Sequence, residues 1–113
     1  MPRLILASGS PRRRELLADA GFRFDVVRPD DAAEAAPCDA PGPAELVVEL
    51  ARRKADDVIR RIVASSNKEH TVVLAADTVA ECRGEILGKP RDEDHARQML
   101  TALSGREHRV FTG

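Results

Sequence analysis

The sequence predicts an α/β domain, a mixed sheet with flanking helices. Three observations carry that expectation. Residues 4–7 (LILA) and 72–76 (VVLAA) are short continuous apolar runs, as in strands buried on both faces. Between them, residues 43–63 place Val47, Ala51, Val58 and Ile62 on one face at helical spacing. After them, Thr78–Cys82 and Glu85–Leu87 flank Arg83-Gly84, which reads as a tight turn joining an antiparallel hairpin.

The bulk properties narrow the function classes. A length of 113 residues allows one domain with a modest core. With 42% hydrophobic and 33% charged residues the composition is that of an ordinary globular chain. A formal net charge of −1 argues against a general nucleic-acid binder, and the dispersed basic residues suit a focused site for a small polyanion. Cys38 and Cys82 stand far apart without CxxC spacing, so neither a disulfide framework nor a zinc site is indicated. No apolar run approaches membrane-spanning length and the N-terminus lacks a signal-peptide core, so a cytoplasmic location without a membrane partner is expected.

In chain order, Ser8, Gly9 and Ser10 break the first apolar run. Ser10 suits an N-cap, Pro11 the first helical position, and Leu16, Leu17 and Ala20 an apolar stripe. A strand, a small-residue loop and a helix N-terminus turn free backbone N–H groups toward an anion. A capping box would place Glu or Gln at position 13, and the macrodipole favours acids there; the chain has Arg12, Arg13 and Arg14 instead. Positive charge crowded onto a positive helix end costs stability unless an anion sits opposite. A phosphate-type site is therefore favoured over three solvated arginines.

Gly21 is a plausible helix stop, and Phe22, Phe24 and Val26 alternate with Arg23 and Asp25 as a half-exposed second strand. Residues 28–42 (RPDDAAEAAPCDAPG) read as a loop long enough to be functional. Its Asp30, Asp31 and Glu34 are candidates for a hard-cation shell, with a solvated acidic loop as the competing reading. Lys54 falls in the middle of the apolar face of residues 43–63, where it either snorkels outward or reaches a buried anion. Residues 65–70 form a polar linker.

The run at 72–76 ends in Asp77. A carboxylate at the end of a buried strand is where open α/β sheets place ligand chemistry. Thr78 and Val79 continue the strand and leave Asp77 inside it, which favours function over a carboxylate that merely bonds nearby amides. Gly88-Lys89-Pro90 sets a second lysine at the end of the hairpin. Asp92 is an N-cap candidate, Glu93 and Asp94 fill the next first turn, Ala96, Met99, Leu100 and Leu103 form its stripe, and Gly105 ends it. His95 and His108 have no partner at metal spacing. Arg109–Thr112 begins another strand around a buried-looking Val110-Phe111 pair.

LILASGSPRRREL, the A-x-x-K-A around Lys54, LAADTV, ILGKP and MLTALSGREHRVFTG together resemble the Maf family of nucleoside triphosphate pyrophosphatases. The likeness runs through nearly the whole chain in order. It implies a Maf/ITPase-like fold of which residues 1–113 are the N-terminal part, an incomplete domain whose C-terminal half normally follows the final Thr-Gly. It also implies that Ser8, Arg12 and Arg13 belong to a phosphate-binding loop, Lys54 and Lys89 to a triphosphate clamp, and Asp77 to the proton acceptor beside a divalent cation, Mg²⁺ or Mn²⁺. Arg12 and Thr78 match positions linked to base selection. The SPRR and ADT forms resemble the branch acting on dTTP and UTP; the branch acting on 7-methyl-GTP usually carries tryptophan for the first arginine and glutamine after the aspartate. The family often has an Asp-Glu pair after the second strand, and here the chain departs from it, reading PDDAAE with Glu34 or Asp31 displaced; Glu34 is carried over beside Asp77 as the metal ligand.

The expected reaction is hydrolysis of dTTP, UTP and related non-standard nucleotides to the monophosphate and pyrophosphate. Arginine forks, lysine point charges and a helix N-terminus would neutralise the triphosphate. The expected partner is the nucleotide, with a homodimer left open. The competing class is a truncated, catalytically inactive module that binds nucleotide or a partner, its last strand leaving a sheet edge open. A nucleic-acid-binding module using the arginine turn is weakest, since it predicts salt-dependent binding that the near-neutral charge does not support.

Overall fold

The computed structural model describes residues 3–35, 40–64, 70–87 and 92–113, apart from the side chains at 34 and 35. In chain order the elements are β1 (Arg3–Leu6), α1 (Pro11–Asp19), β2 (Asp25–Val26), α2 (Ala32–Ala35), α3 (Pro43–Ala64), β3 (Thr71–Leu74), β4 (Thr78–Cys82), β5 (Glu85–Leu87), α4 (Glu93–Leu103) and β6 (Arg109–Thr112). Parallel and antiparallel pairing are divided between two three-stranded sheets. One has the order β2-β1-β3 and is parallel throughout; the other, β5-β4-β6, is antiparallel. The chain thus forms the α/β fold that its periodicities predict.

Helix α3 is the spine that joins the sheets. Its stripe Val47, Ala51, Lys54 and Val58 is buried along three turns. Toward the C-terminal end, Val58 meets Ile5 and Ala7 of the β1 segment, with Val27, Ile62, Val73 and Ala75 packed around them. Toward the N-terminal end α3 lies against β4 and β6. A Cβ on Gly113 would come within 2.9 Å of the Val48 backbone nitrogen, so only glycine permits this approach. Ile5, Val47 and Val58 are fully buried, and each contributes about 1.5–3 kcal/mol of hydrophobic stabilisation.

Local chemistry explains most of the boundaries. Ser10 caps α1 by accepting from the Arg13 N–H, Pro11 opens the helix, and Gly21 takes a left-handed φ of 91° just beyond it. Arg83 and Gly84 both have positive φ, 53° and 81°, as a two-residue hairpin turn requires. Asp92 caps α4 through the His95 N–H, and Gly105 (φ 68°) comes directly after its C-cap.

Several expectations are corrected. The second strand shrinks to Asp25–Val26, and Phe22 stays exposed. A short helix, α2, interrupts the loop expected over 28–42. Strand β3 ends at Leu74 and is half-buried on one face only, where Val73 packs toward α3, while Val72 and Leu74 on the other face are exposed. Asp77 therefore stands outside any assigned strand, though its N–H and C=O exchange hydrogen bonds of 3.0 Å with Gly113 and prolong the β4–β6 ladder by one pair. Val110 is exposed and Phe111 only half-buried. The stripes of α1 and α4 contain no buried residue, and Leu16 and Leu100 are exposed.

The chain is consequently extended. Its radius of gyration is 16.1 Å, against about 13 Å for a compact domain of this length. One face of each sheet is covered by α3, and the outer face of β3 is bare.

Candidate functional site

The parallel strands β1 and β3 end side by side, and the segments just beyond their carboxyl ends build the site. Beyond β1, Ser8 is buried and its Oγ accepts from the Ser10 N–H at 3.0 Å, closing a small turn that leads into the N-cap of α1. The N–H groups of Ser8, Gly9 and Arg12 make no hydrogen bond among the described residues. Beyond β3, residues 75–77 cross to the second sheet and bring Asp77 beneath α3. A cavity of about 920 Å³ opens between the two segments, its wall including Ser8, Arg12, Arg13, Lys54, Asp77 and Thr78. Its position outside the carboxyl ends of parallel strands is the usual ligand position in open α/β sheets.

The four arginine and lysine side chains on this wall behave differently. Lys54 does not snorkel: its side chain is 6% exposed, and Nζ donates to Asp77 Oδ1 at 2.8 Å and to the Ala76 carbonyl at 3.3 Å. The Asp77 carboxylate, 11% exposed, is thus a buried partner for the lysine at the seam of the two sheets. Arg13 uses its fork inside the protein, donating to the Ala76 carbonyl at 3.0 Å and to Thr78 Oγ1 at 2.9 Å. In this way it fixes the segment carrying Asp77. Arg12 is exposed at the cavity mouth, where it pairs with Glu15 at 3.2 Å. Arg28 lines the cavity beside the Gly9 turn. Thr78 Oγ1 also shares a hydrogen bond of 2.9 Å with Thr112 Oγ1, so three side chains hold the start of β4.

Of the residues singled out from sequence, the structure brings Ser8, Arg12, Arg13, Lys54, Asp77 and Thr78 around one cavity. Lys89 lies outside the described residues, as does the side chain of Glu34. Asp30 and Asp31 line the cavity lip, but Asp30 Oδ1 caps α2 by accepting from the Ala32 N–H at 3.1 Å. Among the described residues no three His, Cys, Asp or Glu side chains gather at metal-ligating range. The carboxylates of Asp77, Asp30 and Asp31 are the charged oxygen donors on the described cavity wall, the donor chemistry a hard cation takes.

Sequence reasoning missed three features of this site. Thr112 is an exposed β residue whose role depends on register with Thr78. Arg28 sits in a stretch read for its acids. Asp57 and Arg61, four apart on α3, hold that stretch: Arg61 Nη2 donates to the Arg28 carbonyl at 2.8 Å and Asp57 Oδ2 accepts from the Asp30 N–H at 2.9 Å. That backbone hydrogen bond, with the Arg61 guanidinium, holds the Asp57 carboxyl below its ordinary range. The i,i+4 spacing of Asp57 and Arg61 was visible, but its partners 27 and 33 residues away were not.

Comparison with known proteins bears on what this cavity serves. No helix among the described residues is long and apolar enough to cross a membrane. A dTTP/UTP pyrophosphatase of Rhodopirellula baltica is 54% identical over 110 residues, covering 97% of this chain and 46% of that protein. Proteins of the same name from Anaeromyxobacter dehalogenans and Carboxydothermus hydrogenoformans are 51% and 44% identical, with 99% and 98% of this chain and 52% and 55% of theirs covered. The chain spans about half the length of the curated relatives it matches. The family model described as Maf-like protein matches residues 3–113, and with these relatives it shows that the chain belongs to the Maf family.

Proposed function

We propose that the chain carries the site of a nucleoside triphosphate pyrophosphatase acting on dTTP and UTP. The observation that carries this reading is the buried Lys54–Asp77 pair at the floor of a cavity whose rim holds Arg12 and the unbonded N–H groups of the 8–12 turn. The relatives named dTTP/UTP pyrophosphatase support the substrate class.

In this reading the triphosphate lies across the N-terminus of α1, where free N–H groups and Arg12 meet its charge. Lys54 orients the Asp77 carboxylate through Oδ1 and adds positive charge at the floor. The second carboxylate oxygen accepts a proton from the attacking water. The water oxygen forms a bond to the α-phosphorus as the bond from that phosphorus to the bridging oxygen breaks, giving the nucleoside monophosphate and pyrophosphate. A bound divalent cation, Mg²⁺ or Mn²⁺, would supply charge neutralisation on the phosphate oxygens, with Asp77 and Glu34 as its proposed protein ligands. Lys89 is proposed as a second lysine of the triphosphate clamp, and Arg12 with Thr78 as the residues that meet the base. A cytoplasmic location is the one such a substrate calls for.

A second reading rests on the exposed apolar faces of β3, α1 and α4. The chain would then bind nucleotide without turning it over, completed by a further segment or by a second copy in a homodimer. Incubation with dTTP, UTP and 7-methyl-GTP, with and without Mg²⁺, followed by ³¹P NMR, separates the readings. Pyrophosphate and monophosphate formed from dTTP and UTP only with the cation support the enzyme. Binding of dTTP without products supports the second reading, and release of single inorganic phosphates contradicts the proposed reaction.

A further inference from the structure

We propose that Arg28 is a phosphate-binding residue of this site, held across the Gly9 turn by a latch from α3. The inference rests on the triphosphate reading above and adds to it a residue outside the resemblance. Arg28 lines the same cavity as Arg12 and Arg13. Its side chain crosses Gly9 so closely that a Cβ there would stand 3.0 Å from Arg28 Nε and 3.5 Å from Cδ. Gly9 has no positive φ, so its missing side chain leaves room for the arginine and is not demanded by the backbone.

The other cations on the wall are already engaged. Arg13 bonds Ala76 and Thr78, Lys54 bonds Asp77, and Arg12 pairs with Glu15. The Arg28 guanidinium makes no hydrogen bond or ion pair among the described residues. Its backbone, by contrast, is fixed on both sides of Pro29. Arg61 holds the Arg28 carbonyl at 2.8 Å and Asp57 holds the Asp30 N–H at 2.9 Å, with the proline ring stiffening the residue between them. A rigid mount for an unpaired guanidinium beside free N–H groups is an arrangement suited to bidentate recognition of a phosphate group.

The test is the affinity of the 113-residue chain for dTTP and for inorganic tripolyphosphate, measured by titration calorimetry for the parent, Arg28→Gln and Arg28→Lys. Losing a charged contact predicts Kd values raised about tenfold or more for both probes in Arg28→Gln. Arg28→Lys, which keeps the charge, retains the larger part of the affinity, and both variants melt with the parent because Arg28 is exposed. Parent-like affinity in Arg28→Gln overturns the role of Arg28 while leaving the triphosphate reading intact. Equal losses in both variants accompanied by a lowered Tm assign Arg28 a structural role and also overturn the proposal. A folded parent that binds neither probe overturns the triphosphate reading and the inference together.

Discussion

Replacing Lys54 by methionine keeps the length and the apolar body of the side chain and removes only its charge, leaving Asp77 without its buried cation. At the observed 2.8 Å, and at an effective dielectric constant of about 20, the gross attraction is about 6 kcal/mol. Most of that offsets the desolvation of the two groups, which are 6% and 11% exposed. Removing one partner of a buried pair costs about 3–5 kcal/mol, and because both groups also line a cavity that water reaches, the lower figure applies. A loss of about 3 kcal/mol is a large fraction of the stability of a small domain. Urea unfolding monitored by far-ultraviolet circular dichroism measures it, provided the slope with denaturant is unchanged. Adding Asp77→Asn to Lys54→Met is expected to recover part of the loss, because no unpaired buried charge then remains. A loss under about 1 kcal/mol, or no recovery in the double variant, would refute the view that this pair is an electrostatically buried seam.

Further expectations concern the latch and the core. Because the Asp57 carboxyl is held below its ordinary range, its stabilisation is present above the unfolded-state value of about 4 and is lost as pH falls through the lower folded-state value. Thermal melts should therefore show Asp57→Asn less stable than the parent near neutrality, with the gap closing in acid; a gap constant across that range would refute the linkage. Ile5→Ala, at a fully buried position, should cost about 2–5 kcal/mol in chemical denaturation. Leu100→Ala, on the exposed stripe of α4, should stay within about 0.5 kcal/mol, and a larger loss would show that α4 is covered in solution.

How much was legible in the sequence depends on the range of each signal. The caps of α1 and α4, the Arg83-Gly84 turn and the stripe of α3 are set by residues three or four apart, and the structure has them where the periodicity puts them. The two possible fates of Lys54 were also readable, but only the path of residues 75–77 beneath α3 decides between them. The failures share a cause. Val72, Leu74 and Val110 are apolar enough for a covered strand, but apolar composition does not say whether a face has a neighbour, and these three side chains are exposed. Arg13 shows the opposite limit. Its place in an arginine-rich helix start points to an anion site, but the bonds of its fork to Ala76 and Thr78, 63 and 65 residues away, depend on the tertiary fold.

The measurement that tests the account most directly is the rate of pyrophosphate release from saturating dTTP with Mg²⁺, for the parent chain and for Asp77→Asn. Asparagine still accepts the Lys54 hydrogen bond but is a far weaker proton acceptor. The account predicts turnover in the parent and a fall of about 10²-fold or more in the variant. Parent-like turnover in Asp77→Asn would contradict the role given to Asp77, and a folded parent that binds dTTP without releasing pyrophosphate would contradict the hydrolytic site itself.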